Sequence, residues 1–172
     1  YATQHVMTNA HVVAGVRSPS VITESGDRLD ARVVLYDPEV DIAVLYVEGL
    51  AVAPLAFDGS AKKGDSAIVV GYPGGGPFQP RAARVRDEIT AVGRDIYQRH
   101  VVRRSVYSLN AVVQPGNSGG PLLAPDGRIY GVVFAAAADD RNTGYALTAG
   151  EVAGDAGRGA RATAQVSTQA CD

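Results

Sequence analysis

Apolar residues along this chain come in short runs rich in Val, interrupted by Gly, Pro, Asp or Asn at intervals of roughly 8–12 residues, the pattern of an all-β barrel or sandwich. The runs predict strands over Gln4–Thr8, Ser20–Glu24, Arg28–Tyr36, Ile42–Val47, Ser66–Tyr72, Ala82–Val92, Val101–Leu109, Gly120–Ala124, Arg128–Ala137 and Gly144–Leu147. Ser25-Gly26-Asp27 and Ala124-Pro125-Asp126-Gly127 read as hairpin turns, since Gly accepts the positive φ such turns need. One helix is predicted after Thr148, where Thr148 and Glu151 have the spacing of a capping box. Gly150, Gly154, Gly157 and Gly159 weaken it, so it should be short. Pro54, the Lys62-Lys63-Gly64-Asp65 turn and the Gly74-Gly75-Gly76-Pro77 cluster interrupt the strands between Leu50 and Gly76. That break separates two half-domains, 1–60 and 61–147, followed by a helix and tail over 148–172; neither half buries enough surface to stand alone.

With 172 residues, the chain has the size of one domain. Its net charge of -2 argues against a general nucleic-acid binder, whose footprint would be basic. The run Arg81, Arg84, Arg86, Arg94, Arg99, Arg103, Arg104 is interrupted by Asp87, Glu88 and Asp95 and reads as a solvated β face of mixed charge. No apolar stretch approaches the roughly 20 residues a membrane helix requires. The start, Tyr1 to His5, lacks the basic and apolar regions of a signal peptide, so any address lies outside this chain. The one cysteine, Cys171, cannot form an internal disulfide. No metal-ligand spacing or phosphate loop occurs, so neither a metal nor a cofactor is expected.

Three stretches carry candidate chemistry. Gln114-Pro115-Gly116-Asn117-Ser118-Gly119-Gly120-Pro121 sets a serine on a glycine-rich turn. Serine is a weak nucleophile until a neighbouring base activates it and backbone N–H groups face the developing oxyanion. Met7-Thr8-Asn9-Ala10-His11-Val12-Val13 places His11 where a strand gives way to small residues, while His5 and His100 read as structural or surface residues. In Asp37-Pro38-Glu39-Val40-Asp41-Ile42-Ala43, Asp41 directly precedes an apolar strand, where a partly buried carboxylate needs a partner such as an imidazole N–H. Asp37, beside Pro38, reads as a turn residue facing water.

In the order His, Asp, Ser these motifs resemble the trypsin/chymotrypsin-like serine proteases, and among them the HtrA-like branch. Gly71-Tyr72-Pro73-Gly74, Gly127-Arg128-Ile129-Tyr130-Gly131-Val132-Val133 and Gly144-Tyr145-Ala146-Leu147 extend the likeness, which covers His5 to about Val152. It implies an all-β fold of two six-stranded antiparallel barrels with a short C-terminal helix. By resemblance, Ser118 is the nucleophile, His11 the general acid/base and Asp41 its orienter; the amides of Gly116 and Ser118 form the oxyanion hole. The substrate pocket is implied at Val112, Val133, Phe134, Ala135 and Tyr145. No acid lies six residues before Ser118, where trypsin-like members place one. Val112 stands there, and an apolar pocket favours small or medium apolar side chains.

Three departures qualify the likeness. Asn117 stands where digestive members carry Asp, so activation by pairing with a new N-terminus is not expected. Nothing after Val152 is long enough for a PDZ module, and the likeness is nearest to the PDZ-less, membrane-anchored periplasmic serine proteases of actinobacteria, the MarP type. Only ten residues precede His11, so the first barrel is expected to lack its N-terminal strand, and the partner of Cys171 to lie in that missing segment. The resemblance implies an extracytoplasmic serine endopeptidase acting on proteins or peptides, in quality control or envelope-protein processing under stress. Membrane tethering would come only through an N-terminal transmembrane region outside the chain. The alternative is a catalytically inactive binding scaffold of the same fold.

Overall fold

The computed structural model describes residues 1–59 and 61–170; Cys171 lies outside the described residues, and with it the expected disulfide. Among the described residues, eleven strands and two α-helices follow in order, with a 3-10 turn over Pro73–Gly75. They are β1 (His5–Thr8), α1 (Ala10–Val13), β2 (Ser20–Ile22), β3 (Arg28–Asp30), β4 (Arg32–Asp37), β5 (Ile42–Tyr46) and β6 (Ser66–Gly71), then β7 (Gln79–Arg94), β8 (Val101–Asn110), β9 (Pro121–Leu123), β10 (Ile129–Ala136), β11 (Thr143–Thr148) and α2 (Ala149–Gly159). The architecture is all-β with one C-terminal helix, as expected.

Strands β6 to β11 close into a ring in the order β10-β11-β8-β7-β6-β9, every pair antiparallel. Its interior is filled by residues facing inward from several strands, among them Val69, Val85, Tyr107, Leu109, Leu122, Val133 and Ala146. In the first half, β1, β5 and β4 form one three-stranded sheet, and β2 and β3 pair separately as a ribbon. The five strands there lie in two sheets and not in a ring.

Two predicted elements divide or lengthen for tertiary reasons. The run Arg28–Tyr36 is two strands, because the N–H of Ala31 leaves the ladder to bond Pro19 O, 3.0 Å away. The strand predicted from Ala82 to Val92 runs from Gln79 to Arg94, since β8 pairs with it out to Arg94↔Val101. Thr148 caps α2 as predicted, its hydroxyl accepting from Glu151 N at 3.0 Å. The helix still continues for 11 residues despite its glycines. Val152 is fully buried on α2, and at Gly159 a Cβ would stand 2.6 Å from Val44 Cγ2, so glycine lets the helix lie close to β5.

The two halves meet through a cluster drawn from both. Ile42 of β5 packs with Val106 of β8, Val132 of β10, Leu147 of β11 and Val152 of α2, with Met7 and Leu35 against them. That interface sets the relative position of everything at the candidate site.

Candidate active site

His11 lies in α1, a single turn that the strand pattern does not predict. Asn9, just before it, has extended backbone, and the chain turns there out of β1. The helix buries Ala10 and Val13 and leaves the imidazole of His11 38% exposed. Asp41 sits on the turn entering β5, with its side chain 5% exposed. Its carboxylate accepts twice from the same residue: Oδ1 from the His11 N–H at 2.9 Å, and Oδ2 from ring Nδ1 at 2.8 Å. A carboxylate can only accept, so Nδ1 carries a proton and Nε2 of the neutral ring is the free acceptor. The arrangement leaves His11 a base with fixed orientation.

Asp37 shapes the turn that delivers Asp41. Its Oδ1 accepts the N–H groups of Glu39 and Val40 at 2.9 Å each, and its carbonyl accepts from Asp41 N at 3.0 Å. Asp41 takes a positive φ of 68°, and the fully buried Asn9 donates its amide Nδ2 to the Asp41 carbonyl at 2.9 Å. Asn9 is a residue holding this turn that reading the chain missed. Its only sequence signal is a polar residue at the end of a strand that should turn inward. His5 is buried, its ring bonded to Thr3 O and Ala162 O, while His100 faces Asp95 at 3.1 Å and Glu39 at 3.6 Å, so it meets the Asp37–Asp41 turn through Glu39 and not through Asp41.

The Ser118 loop joins β8 to β9, so both its ends belong to the closed ring. Two of its carbonyls are tied to the segment after β6: Pro115 O accepts from Gly74 N at 2.8 Å and Gly116 O from Tyr72 N at 3.0 Å. Gly116 has φ +99°, and a Cβ there would strike the Tyr72 carbonyl, so only glycine fits. Asn117 is buried, and its Oδ1 accepts from Gln114 N at 2.9 Å, a local turn that needs no charge. Gly119 N and Val133 N exchange bonds with Val133 O and Gly120 O across 2.9 Å each. Among the described residues, the N–H groups of Gly116 and Ser118 have no protein acceptor. With the Pro115 and Gly116 carbonyls tied to the segment after β6, these two donors are left unengaged.

The five implied pocket residues divide by burial. Val133 is fully buried in the ring interior and offers the Ser118 loop its backbone, not its side chain. Phe134 and Tyr145 pack partly against the cluster that joins the halves, while Val112 and Ala135 are half-buried.

The same arrangement of strands and loops recurs in known proteins. The description "Trypsin-like peptidase domain" fits residues 1–132. The chain belongs to the trypsin-like peptidase family. It is 50% identical over 169 residues to "Serine protease Rv3671c" of Mycobacterium tuberculosis strain H37Rv, a MarP-type protease, which bears out the MarP-type likeness; the match takes in 96% of this chain and 42% of that protein. The crystal structure of the active form of the Rv3671c protease superimposes with a TM-score of 0.95 at 48% identity, covering 99% of this chain and 75% of that one. The inactive form of the same protease superimposes at 0.83, covering 91% of this chain and 80% of that one. A "Probable periplasmic serine endoprotease DegP-like" of Chlamydia pneumoniae is 35% identical over 131 residues, 74% of this chain and 26% of that protein. The chain thus spans about two fifths of the length of Rv3671c and about a quarter of the DegP-like protein.

Proposed function

We propose that the chain is the proteolytic unit of an extracytoplasmic serine endopeptidase working through Ser118, His11 and Asp41. The observation that carries this is the doubly bonded His11–Asp41 pair, with distances of 2.9 and 2.8 Å, on a trypsin-like fold whose Ser118 loop keeps two amides unengaged. In the first step the Ser118 hydroxyl attacks the scissile carbonyl while His11 Nε2 takes its proton. The negative charge that develops on the carbonyl oxygen meets the N–H groups of Gly116 and Ser118. His11 then gives the proton to the leaving amine, which departs and leaves an acyl ester on Ser118. Water, deprotonated by His11, hydrolyses that ester and restores the serine. Asp41 stabilises the imidazolium formed in each half-reaction and holds the ring in place.

The extracytoplasmic setting is supported by the DegP-like relative, which is named periplasmic. Quality control or envelope-protein processing under stress is the role that fits such a setting, with unfolded or envelope proteins as substrates and tethering supplied by sequence outside this chain. The expected preference before the scissile bond is for small or medium apolar side chains, because Val112 brings no charge to the pocket.

The test is labelling of the protein with a fluorophosphonate probe, beside digestion of an unfolded protein. Labelling of the native protein at Ser118, and none of Ser118→Ala, is the expected outcome. A protein that digests substrate equally well after Ser118→Ala, or that the probe never labels, would overturn the assignment and favour the inactive scaffold.

A further inference from the structure

A second apolar groove opens beside Ser118, away from the strands of the implied acyl pocket. It encloses about 540 Å³ and is lined by Ser118, Gly116 and Gly119 together with Tyr72, Phe78 and Val12. No residue of β10 or β11, and none from the segment 111–115, reaches it. Ser118 therefore stands at the boundary of two sites: the implied pocket on the β10–β11 side and this groove opposite.

The groove is unusual for a surface in what it exposes. Val12, Val16, Tyr72 and Phe78 are four of the eleven large apolar side chains exposed among the described residues, and all four line it. Tyr72 and Phe78 are each 54% exposed, and they meet edge to face with ring centroids 5.8 Å apart. No acidic or basic side chain lines it. A concentrated apolar patch of this kind marks a binding surface, and a charged side chain entering it would lose its water without gaining a partner.

The backbone fixes the aromatic pair to the chemistry. Tyr72 N donates to Gly116 O at 3.0 Å, Gly74 N to Pro115 O at 2.8 Å, and Gly75 N closes the turn on Tyr72 O at 2.9 Å. The residue whose amide is assigned to the oxyanion is thus bonded to the residue that carries the aromatic ring. A side chain held against Tyr72 is held at a set distance from Ser118.

We propose that this groove is a leaving-group subsite, in which one of the first two substrate residues after the scissile bond lays an aromatic or large aliphatic side chain against Tyr72 and Phe78. The assignment rests on the serine-peptidase reading above and deepens it: the enzyme selects on both sides of the bond, small apolar before it and large apolar after it. Substrates of that composition are buried segments of folded proteins, exposed only on unfolding.

The experiment uses the full protein and quenched peptides sharing one acyl half, with Phe, Leu, Ala, Glu or Lys in turn at the two positions after the scissile bond. The expected kcat/KM for Phe or Leu exceeds that for Glu or Lys by about tenfold or more. In the double variant Tyr72→Ala, Phe78→Ala the ratio of Phe to Glu substrates falls towards one. Because the readout is a ratio between substrates, a general loss of folded or active protein cancels. Equal cleavage of Phe and Glu peptides by the native protein, or an undiminished ratio in the double variant, overturns the subsite. Fluorophosphonate labelling in parallel separates the two ideas. A labelled protein without the preference defeats the subsite alone, whereas an unlabelled protein defeats the peptidase reading and the subsite with it.

Discussion

The side-chain amide of Asn9 donates to the backbone carbonyl of Asp41 across 2.9 Å, joining the end of β1 to the turn before β5. The same turn holds Asp41 at φ +68°, where an L-residue is disfavoured by about 1 kcal/mol or more. The bond offsets that cost, and in doing so it aims the carboxylate so that both oxygens reach His11.

Asn9→Ala leaves the buried Asp41 carbonyl without its donor, which costs about 1–3 kcal/mol in stability. It also lets the carboxylate drift from His11. The expected result is a lower melting temperature and a labelling rate at Ser118 reduced by about 10–100-fold, the scale of a small misplacement of a catalytic group. A variant that labels at the native rate would show that the turn holds its shape without Asn9.

Asp41→Asn tests a different property, the charge. Asn can present its carbonyl oxygen to one N–H of His11 but cannot stabilise an imidazolium, and its amide can reverse the ring tautomer. In the proposed mechanism kcat falls by about 10⁴ while the fold persists. Steady-state kinetics with circular dichroism of the same sample check it; a loss below tenfold would remove Asp41 from the triad.

Gly116→Ala targets the proposed oxyanion donors. The added methyl meets the Tyr72 carbonyl, and φ +99° is strained for alanine, so the peptide turns and withdraws its N–H. Removing one such donor costs about 10²–10³ in kcat. The check is a fall in kcat with KM changed much less; a rise in KM alone would mean that the residue serves binding and not the transition state.

Asp155 makes stability depend on pH. Burial, with the Asp37 carboxylate nearby, pushes its pKa up to about 6, although Arg158 pulls the other way. An unfolded chain releases that proton near pH 3.9. From about pH 4 to 6 the folded chain therefore holds a proton that the unfolded chain has lost. This group's contribution is greatest below that window, falls as pH rises through it, and is constant above. Asp155→Asn removes the titration, so the variant gains on the native protein by at most about 3 kcal/mol between pH 4 and 7. Denaturant midpoints of the two proteins across that range supply the test, and a constant gap between them would refute it.

What could be read from the chain was what depends on neighbours in sequence. The Thr148–Glu151 cap is such a case, because donor and acceptor are three residues apart and the bond forms at 3.0 Å as the spacing requires. The pairing of His11 with Asp41 was legible only through chain order and motif; they lie 30 positions apart, and nothing local records the two hydrogen bonds between them. The turn of α1 was not legible because four residues leave no periodicity, and Asn9 makes no side-chain cap there. Its amide is spent on Asp41 instead. The strand expected to begin at Ala82 begins at Gln79, with Pro80 paired to Val70, since the ladder to β6 carries it past the proline. Val133 shows the same limit from the other side: the resemblance implied it in the substrate pocket but could not say that its side chain turns into the ring.

The Ser118 loop belongs to a ring with no open side, whereas His11 and Asp41 ride on a separate three-stranded sheet. Ile42, Val106, Val132, Leu147 and Val152 form the bearing surface between those two bodies. In the proposed triad the base and its carboxylate come from one body and the serine from the other, so the packing of that surface sets their distance while the His11–Asp41 bonds belong to one side alone. The proposed activity is in that sense a matter of alignment between two parts, each held together by its own hydrogen bonds.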